Sequence, residues 1–151
     1  MVKITANAIK NLKQNNVRIP PQSIESEQAV LGSIMLRKDA MHEIEDMVSP
    51  ESFYVEKHKM IFRAMLDLSL KNEPIDMLSL STKLNEQKLL ESIGGNIYLA
   101  EIVNVVPSST NIKHYADIVQ KKYVLRSLIE AADYVSELAF EEGDDHMDDI
   151  L

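Results

Sequence analysis

The chain has 151 residues, 45% of them apolar and 26% charged, which suits one globular domain with an appendage. With no cysteine it holds no disulfide framework, thiolate zinc site or cysteine nucleophile. No apolar run approaches the length of a membrane span, and no start resembles a signal peptide, so a cytoplasmic setting without membrane attachment is expected.

The net charge of −8 is unevenly placed. Residues 1–19 carry Lys3, Lys10, Lys13 and Arg18 and no acid, leaving 12 bases against 24 acids from Pro20 onward. An acidic body repels phosphate backbones, so it is not the part that would grip nucleic acid. The first 19 residues show no sustained period and read as a mobile basic arm, with a DNA-touching peptide as the functional alternative.

Pro20 and Pro21 stiffen the approach to the first helix. Ser23 is its expected N-cap, and Glu25 and Glu27 sit at the positive end of the helix dipole. Val30, Leu31, Ile34 and Met35 share a face. Gly32 lies beside that face. It is either a tolerated helix glycine costing up to about 1 kcal/mol or, the preferred reading, a place where a neighbouring helix backbone comes too close for a Cβ.

Asp39 is the next expected N-cap, for a helix presenting Ala40, Ile44, Met47 and Val48. Ser49-Pro50 ends it and starts another element. After Phe53 and Tyr54 a longer helix runs from Val55 to about Leu70 with Met60, Ile61, Ala64, Met65 and Leu68 inward. Pro74 bars its continuation, and Asp76 caps a short helix bearing Leu80 and Leu84. Gly94-Gly95 reads as a helix C-cap and turn. Tyr98, Leu99, Ile102, Val103 and Val106 then form another stripe, ended by Pro107. Residues 20–107 thus read as a compact helical domain.

From Ser108, Ser109 and Thr110, which offer caps, nothing breaks the helix until Gly143. Some 30 residues at 1.5 Å each give ~45 Å, longer than a small domain is wide. Ile118, Leu125, Leu128, Ala132, Val135 and Ala139 recur at threes and fours, interrupted by Lys121, as a seam for another helix. Asp144 and Asp145 can cap a helix barely begun at Leu151. Residues 108–151 therefore read as the first helix of a hairpin and the start of its second arm. The expected fold class is all-α: a small compact helical globule followed by a long helical hairpin truncated in its second arm.

No catalytic, cofactor or metal site emerges. Lys never follows Gly, so the Gly-Lys-Ser/Thr core of a P-loop is missing. His42, His58, His114 and His146 are scattered; His42 lacks a second histidine at zinc-site spacing, and His58 reads as a structural hydrogen-bonding group rather than a catalytic one. The acidic tail EEGDDHMDD lacks the alternating ligands of a calcium loop, and no Gly-x-Ser-x-Gly elbow occurs. Met35, Met47, Met60 and Met65 lie on core stripes and read as gap-fillers rather than a binding groove. The residues alone describe an all-α interaction module with an oligomerising hairpin.

The succession PPQSIESEQAVLGSIML, FY with HKMIF (Phe53, Tyr54, His58, Ile61, Phe62), EPID, IGGNIYLAEI and VPSSTNIKHYADIV resembles the N-terminal domain of bacterial replicative DNA helicases, the DnaB family. Order and spacing match over residues 18–151, leaving the basic arm outside. The resemblance implies a collar domain of a hexameric ring, associating through its hairpins as a trimer of dimers. It implies docking of primase and, in some lineages, a bearing on helicase loading. It places ATP, magnesium and 5′–3′ strand separation in a RecA-like motor that this chain does not contain, with DNA met only through the parent assembly in the replisome. By the same resemblance Glu25, Tyr98, Arg126 and Ile129 are candidates for partner contact. For Tyr98 the competing role is core packing, and for Glu25 a first-turn acid. A stand-alone helical adaptor that binds replication proteins without a motor is the alternative reading.

Overall fold

A computed structural model of the chain describes residues 5–6, 18–107 and 111–141. Within them run α1 (Ile24–Leu36), α2 (Ala40–Ile44), a 3-10 turn (Pro50–Ser52), α3 (Glu56–Leu70), α4 (Met77–Glu86), α5 (Gly95–Val105) and α6 (Ile112–Phe140). No strand occurs among the described residues. The expected all-α class holds. Most of the basic arm, the caps at residues 108–110 and the second hairpin arm lie outside the described residues.

Helix α1 is the axis of the globule. The Ser26 N–H donates to Ser23 Oγ at 3.3 Å, the cap read from the sequence. Beyond it α1 is buried on nearly every side, its polar Ser26, Glu27 and Ser33 included. It packs against α5 and α6, with α3 across it. A Cβ built on Gly32 would meet the Ile102 carbonyl oxygen at 2.8 Å and collide with the Val106 side chain. The glycine is there for the close approach of α5.

The segment after α1 differs from its reading. Asp39 stands at the N-cap of α2, but its side chain makes no capping bond. The helix ends at Ile44, and Met47 and Val48 donate their N–H groups back to the Ile44 carbonyl in a turn, which still buries Val48. Five residues are too few for a helix to hold without tertiary support. The element begun by Ser49-Pro50 is a single 3-10 turn, in which the Ser49 N–H donates to Ser52 Oγ at 3.0 Å. Below it Phe53 is fully buried against Phe62, ring centroids 5.0 Å apart.

Helix α3 buries Ile61, Ala64, Met65 and Leu68, as its stripe demands, while Met60 is half-buried. It closes at Asn72 with φ 55°, where the Glu73 N–H reaches the Leu68 carbonyl at 2.9 Å and the Asn72 N–H that of Ser69 at 3.0 Å. Helix α4 starts from Asp76, whose Oδ1 accepts the Ser79 N–H at 2.8 Å. It ends in the same motif around Lys88, φ 58°. At the double glycine φ is 100° and 71°, so the turn into α5 uses the left-handed region at both residues.

Helix α6 has 29 residues, and at 1.5 Å each is ~44 Å long. It stops at Phe140 rather than Gly143. Its buried residues, Ile112, Ala116 and Val119, all lie in its first half, against the globule. That inner face is not the seam read from the sequence, which lies around the cylinder from it.

Candidate interaction surface on the long helix

Two constructions fix the surface that α6 presents. The first lies inside the globule. Glu27, 1% exposed, aims its carboxylate at the N-terminus of α3. It accepts the Tyr54 N–H at 2.9 Å, the Val55 N–H at 3.2 Å and His58 Nδ1–H at 2.8 Å. Val55 is the N-cap of α3 and has no capping side chain of its own. A carboxylate from another helix therefore supplies the cap and meets the positive end of the dipole. Nε2 of the same ring is hydrogen-bonded to the Tyr98 hydroxyl at 2.5 Å. That hydroxyl also accepts from Gln28 Nε2 at 3.4 Å, and the Lys57 ammonium sits 3.5 Å above the Tyr98 ring. One chain of hydrogen bonds thus ties α1, α3 and α5 together.

This arrangement joins an acid, a histidine and a tyrosine as hydrolytic sites do, but all three are buried and neither ring nitrogen of His58 bonds a serine or cysteine. Both ring nitrogens of His58 are taken up by Glu27 and Tyr98. Glu27 lies in the first turn of α1, as read, and its carboxylate also points inward to cap a different helix.

The second construction docks α6. Arg126 Nη1 donates to the Pro21 carbonyl at 2.7 Å, and Nη2 to the Ser52 carbonyl at 2.9 Å. Its guanidinium also lies 5.4 Å from the Tyr54 ring centre and 5.9 Å from that of Tyr123. Nearly two turns earlier Ser52 Oγ donates to Gln120 Oε1 at 2.8 Å. Both carbonyls belong to irregular backbone that no helix satisfies, so a planar, two-armed cation is the side chain able to bridge them. Beside the clamp opens a cleft of about 630 Å³ between α6 and residues 18–20.

The residues singled out in the sequence fall into three environments. Glu25 is exposed in the first turn of α1. Tyr98 is 8% exposed, its hydroxyl engaged internally, and Arg126 is half-buried in the clamp. Ile129 lines the cleft and is 48% exposed. Along the seam Ile118 is half-buried, and Leu125, Leu128, Ala132, Val135 and Ala139 are all exposed. Val124, Tyr134, Leu138 and Phe140, which the seam did not include, are exposed as well. Past the clamp, α6 therefore offers a broad apolar face that no described residue covers.

What sequence reading missed is long-range. Nothing near Glu27 in the chain distinguishes a carboxylate that turns inward from one that faces water. The inner stripe Ile112, Ala116, Val119 was legible as a helical period, but the more apolar seam drew the reading away from it.

On the globule, Arg37 Nη1 donates to Glu43 Oε1 at 2.9 Å and holds that carboxyl below the usual carboxylate value, with Lys113 adding to the effect. The pair's support is complete above the ordinary carboxylate range and fades as pH falls through the lowered folded value. Among the described residues no group of three or more histidine or acidic side chains could hold a metal, and no helix is long and apolar enough to cross a membrane.

Residues 19–121 match the family described as DnaB-like helicase N terminal domain. The chain is 40% identical over 136 residues to the replicative DNA helicase DnaC of Bacillus subtilis (strain 168), covering 90% of this chain and 30% of that protein. It is 41% identical over 128 residues to the replicative DNA helicase DnaB of Geobacillus stearothermophilus, covering 85% of this chain and 28% of that one. It thus spans less than a third of these relatives. Its fold is similar to the crystal structure of the N-terminal domain of DnaB helicase from Mycobacterium tuberculosis, at TM-score 0.79 and 37% identity, covering 81% of this chain and 88% of that chain. A structure of a DnaB-like replicative helicase and its interactions with primase matches at TM-score 0.68 and 32% identity, over 76% of this chain and 27% of that one.

Proposed function

The chain belongs to the DnaB-like helicase N-terminal domain family, and from that premise we propose that it is the collar and interaction domain of a replicative DNA helicase. In this reading it associates with copies of itself through α6, as dimers within a hexameric ring. It docks primase and, in lineages that use one, a helicase loader. The observation that supports it is the uncovered apolar face of α6. Val135 is 63% exposed and Leu128 61%, on a helix whose first half is firmly held. Such a face on a rigid lever suits coverage by another polypeptide.

Primase is favoured as the partner class because one of the similar structures concerns a DnaB-like replicative helicase and its interactions with primase. ATP and magnesium belong, in this reading, to a RecA-like motor of the parent protein in the cytoplasm. This reading follows from the sequence, which holds no Gly-Lys pair for a P-loop. The chain's own contribution is positional.

Light scattering across a concentration series, with titration of a primase C-terminal helical domain, tests the proposal. The expected result is concentration-dependent association together with saturable primase binding. A particle that stays monomeric at every concentration and does not bind primase overturns it.

A further inference from the structure

The inner stripe of α6 continues past the globule in the same register but changes chemistry. Ile112, Ala116, Val119 and Tyr123 lead to Arg126, and the next positions at threes and fours are Glu130, Asp133, Glu137 and Glu141. A face that begins apolar against the core becomes a column of four exposed carboxylates. No lysine, arginine or histidine occurs from Leu128 to Glu141, and none of the four carboxylates pairs with a described residue.

The opposite charge lies at the other end of the chain. Residues 1–19 hold four bases and no acid. The point where this segment meets the globule is fixed, because Arg126 grips the Pro21 carbonyl at 2.7 Å, one turn before Glu130. Arg18 and Ile19 line the same cleft as Glu130 and Asp133. The basic segment therefore leaves the globule beside the start of the acidic column.

Lengths agree. Lys13 stands five residues before Arg18, an extended reach of ~17 Å. Glu130 to Glu141 spans eleven residues of helix, ~16 Å. Tethering raises the local concentration of the segment to the millimolar range, where clusters of individually weak ion pairs become populated.

We propose that the acidic flank of α6 is the docking surface for residues 1–17 of the same chain. The seam stays open for partners, while docking offsets the self-repulsion of the carboxylate column and shields that flank from basic partners.

The absence of native cysteine makes the test clean. A nitroxide on Asn11→Cys in the full chain is read by broadening of amide signals in isotope-labelled protein. Broadening concentrated on residues 130–141, compared with the exposed face of α4, is expected. It should fall by more than about half near 1 M salt, where the screening length shrinks to about 3 Å. It should fall equally in Glu130→Gln/Asp133→Asn/Glu137→Gln, whose positions touch nothing in the core, with circular dichroism checking the fold. At a dilution where light scattering shows monomer, a mixture of spin-labelled unenriched chains with unlabelled enriched chains must show no such broadening. Broadening in that mixture assigns the flank to a neighbour's segment and overturns the proposal. So does broadening that is absent from α6, or that charge removal and salt leave unchanged.

Discussion

Glu27 ties the globule's own helices and Arg126 joins the lever to them, and each can be removed alone. Glu27→Gln replaces one carboxylate oxygen with an amide facing inward-directed donors. The imidazole of His58 can switch tautomer to suit, but one of the Tyr54 and Val55 N–H groups still loses its acceptor. The charge at the start of α3 is lost as well. We expect a loss of about 2–3 kcal/mol from these two effects, read as a lower urea midpoint by circular dichroism. A shift worth under about 0.5 kcal/mol, the range of an ordinary surface substitution, would show that the carboxylate is not the cap. Arg126→Ala removes two hydrogen bonds from a charged donor to backbone carbonyls and leaves both acceptors at a half-buried junction. About 2 kcal/mol should be lost. Arg126→Lys should recover less than half, because an ammonium cannot span both carbonyls with a planar fork. Full rescue by lysine would reduce the clamp to a simple charge.

Gly32 shows how a single position sets the distance between elements. Alanine there improves helix propensity by about 1 kcal/mol. Its Cβ, however, would sit 2.8 Å from the Ile102 carbonyl, which the α5 backbone holds in place. Forcing the two helices apart should cost about 1–3 kcal/mol and outweigh the gain. A melting curve should show Gly32→Ala below the parent by several degrees, and a rise would mean that α5 moves freely. This contact was legible, because a glycine inside an apolar run has few other reasons to be there. The caps Ser23 and Asp76 and the double-glycine turn were legible too, since each is a local exchange between a side chain or φ angle and its own backbone. The early end of α2 was not, because five residues are held by what surrounds them and not by their own propensity. The sequence shows which residues of α6 are apolar, but only the globule's position decides which apolar stripe is inside. Lys88, at φ 58°, was similarly hidden, as lysine carries no turn signal.

At the scale of the whole molecule a globule with a buried core carries a lever whose outer half is exposed. If the seam is the self-association surface, substitutions there must separate assembly from folding. Leu128 and Val135 lie two turns apart on one face and are both more than half exposed. In a two-fold contact each counts twice, and four such side chains at about 1.5–3 kcal/mol each match the cost of about 4–15 kcal/mol that association imposes. Loss of both should therefore tip the balance towards monomer. Leu128→Glu/Val135→Glu also sets like charges opposite one another across that contact, which adds repulsion. Sedimentation should show the parent associating with concentration and the double variant staying monomeric. Urea unfolding of the dilute monomer should differ by no more than about 0.5 kcal/mol, since neither residue belongs to the core. A variant that assembles like the parent would move the interface away from this face. A variant that is monomeric but also unstable would mean that the globule leans on these residues, contrary to their exposure. Only assembly lost with stability intact fits a domain whose work is to hold other chains in place.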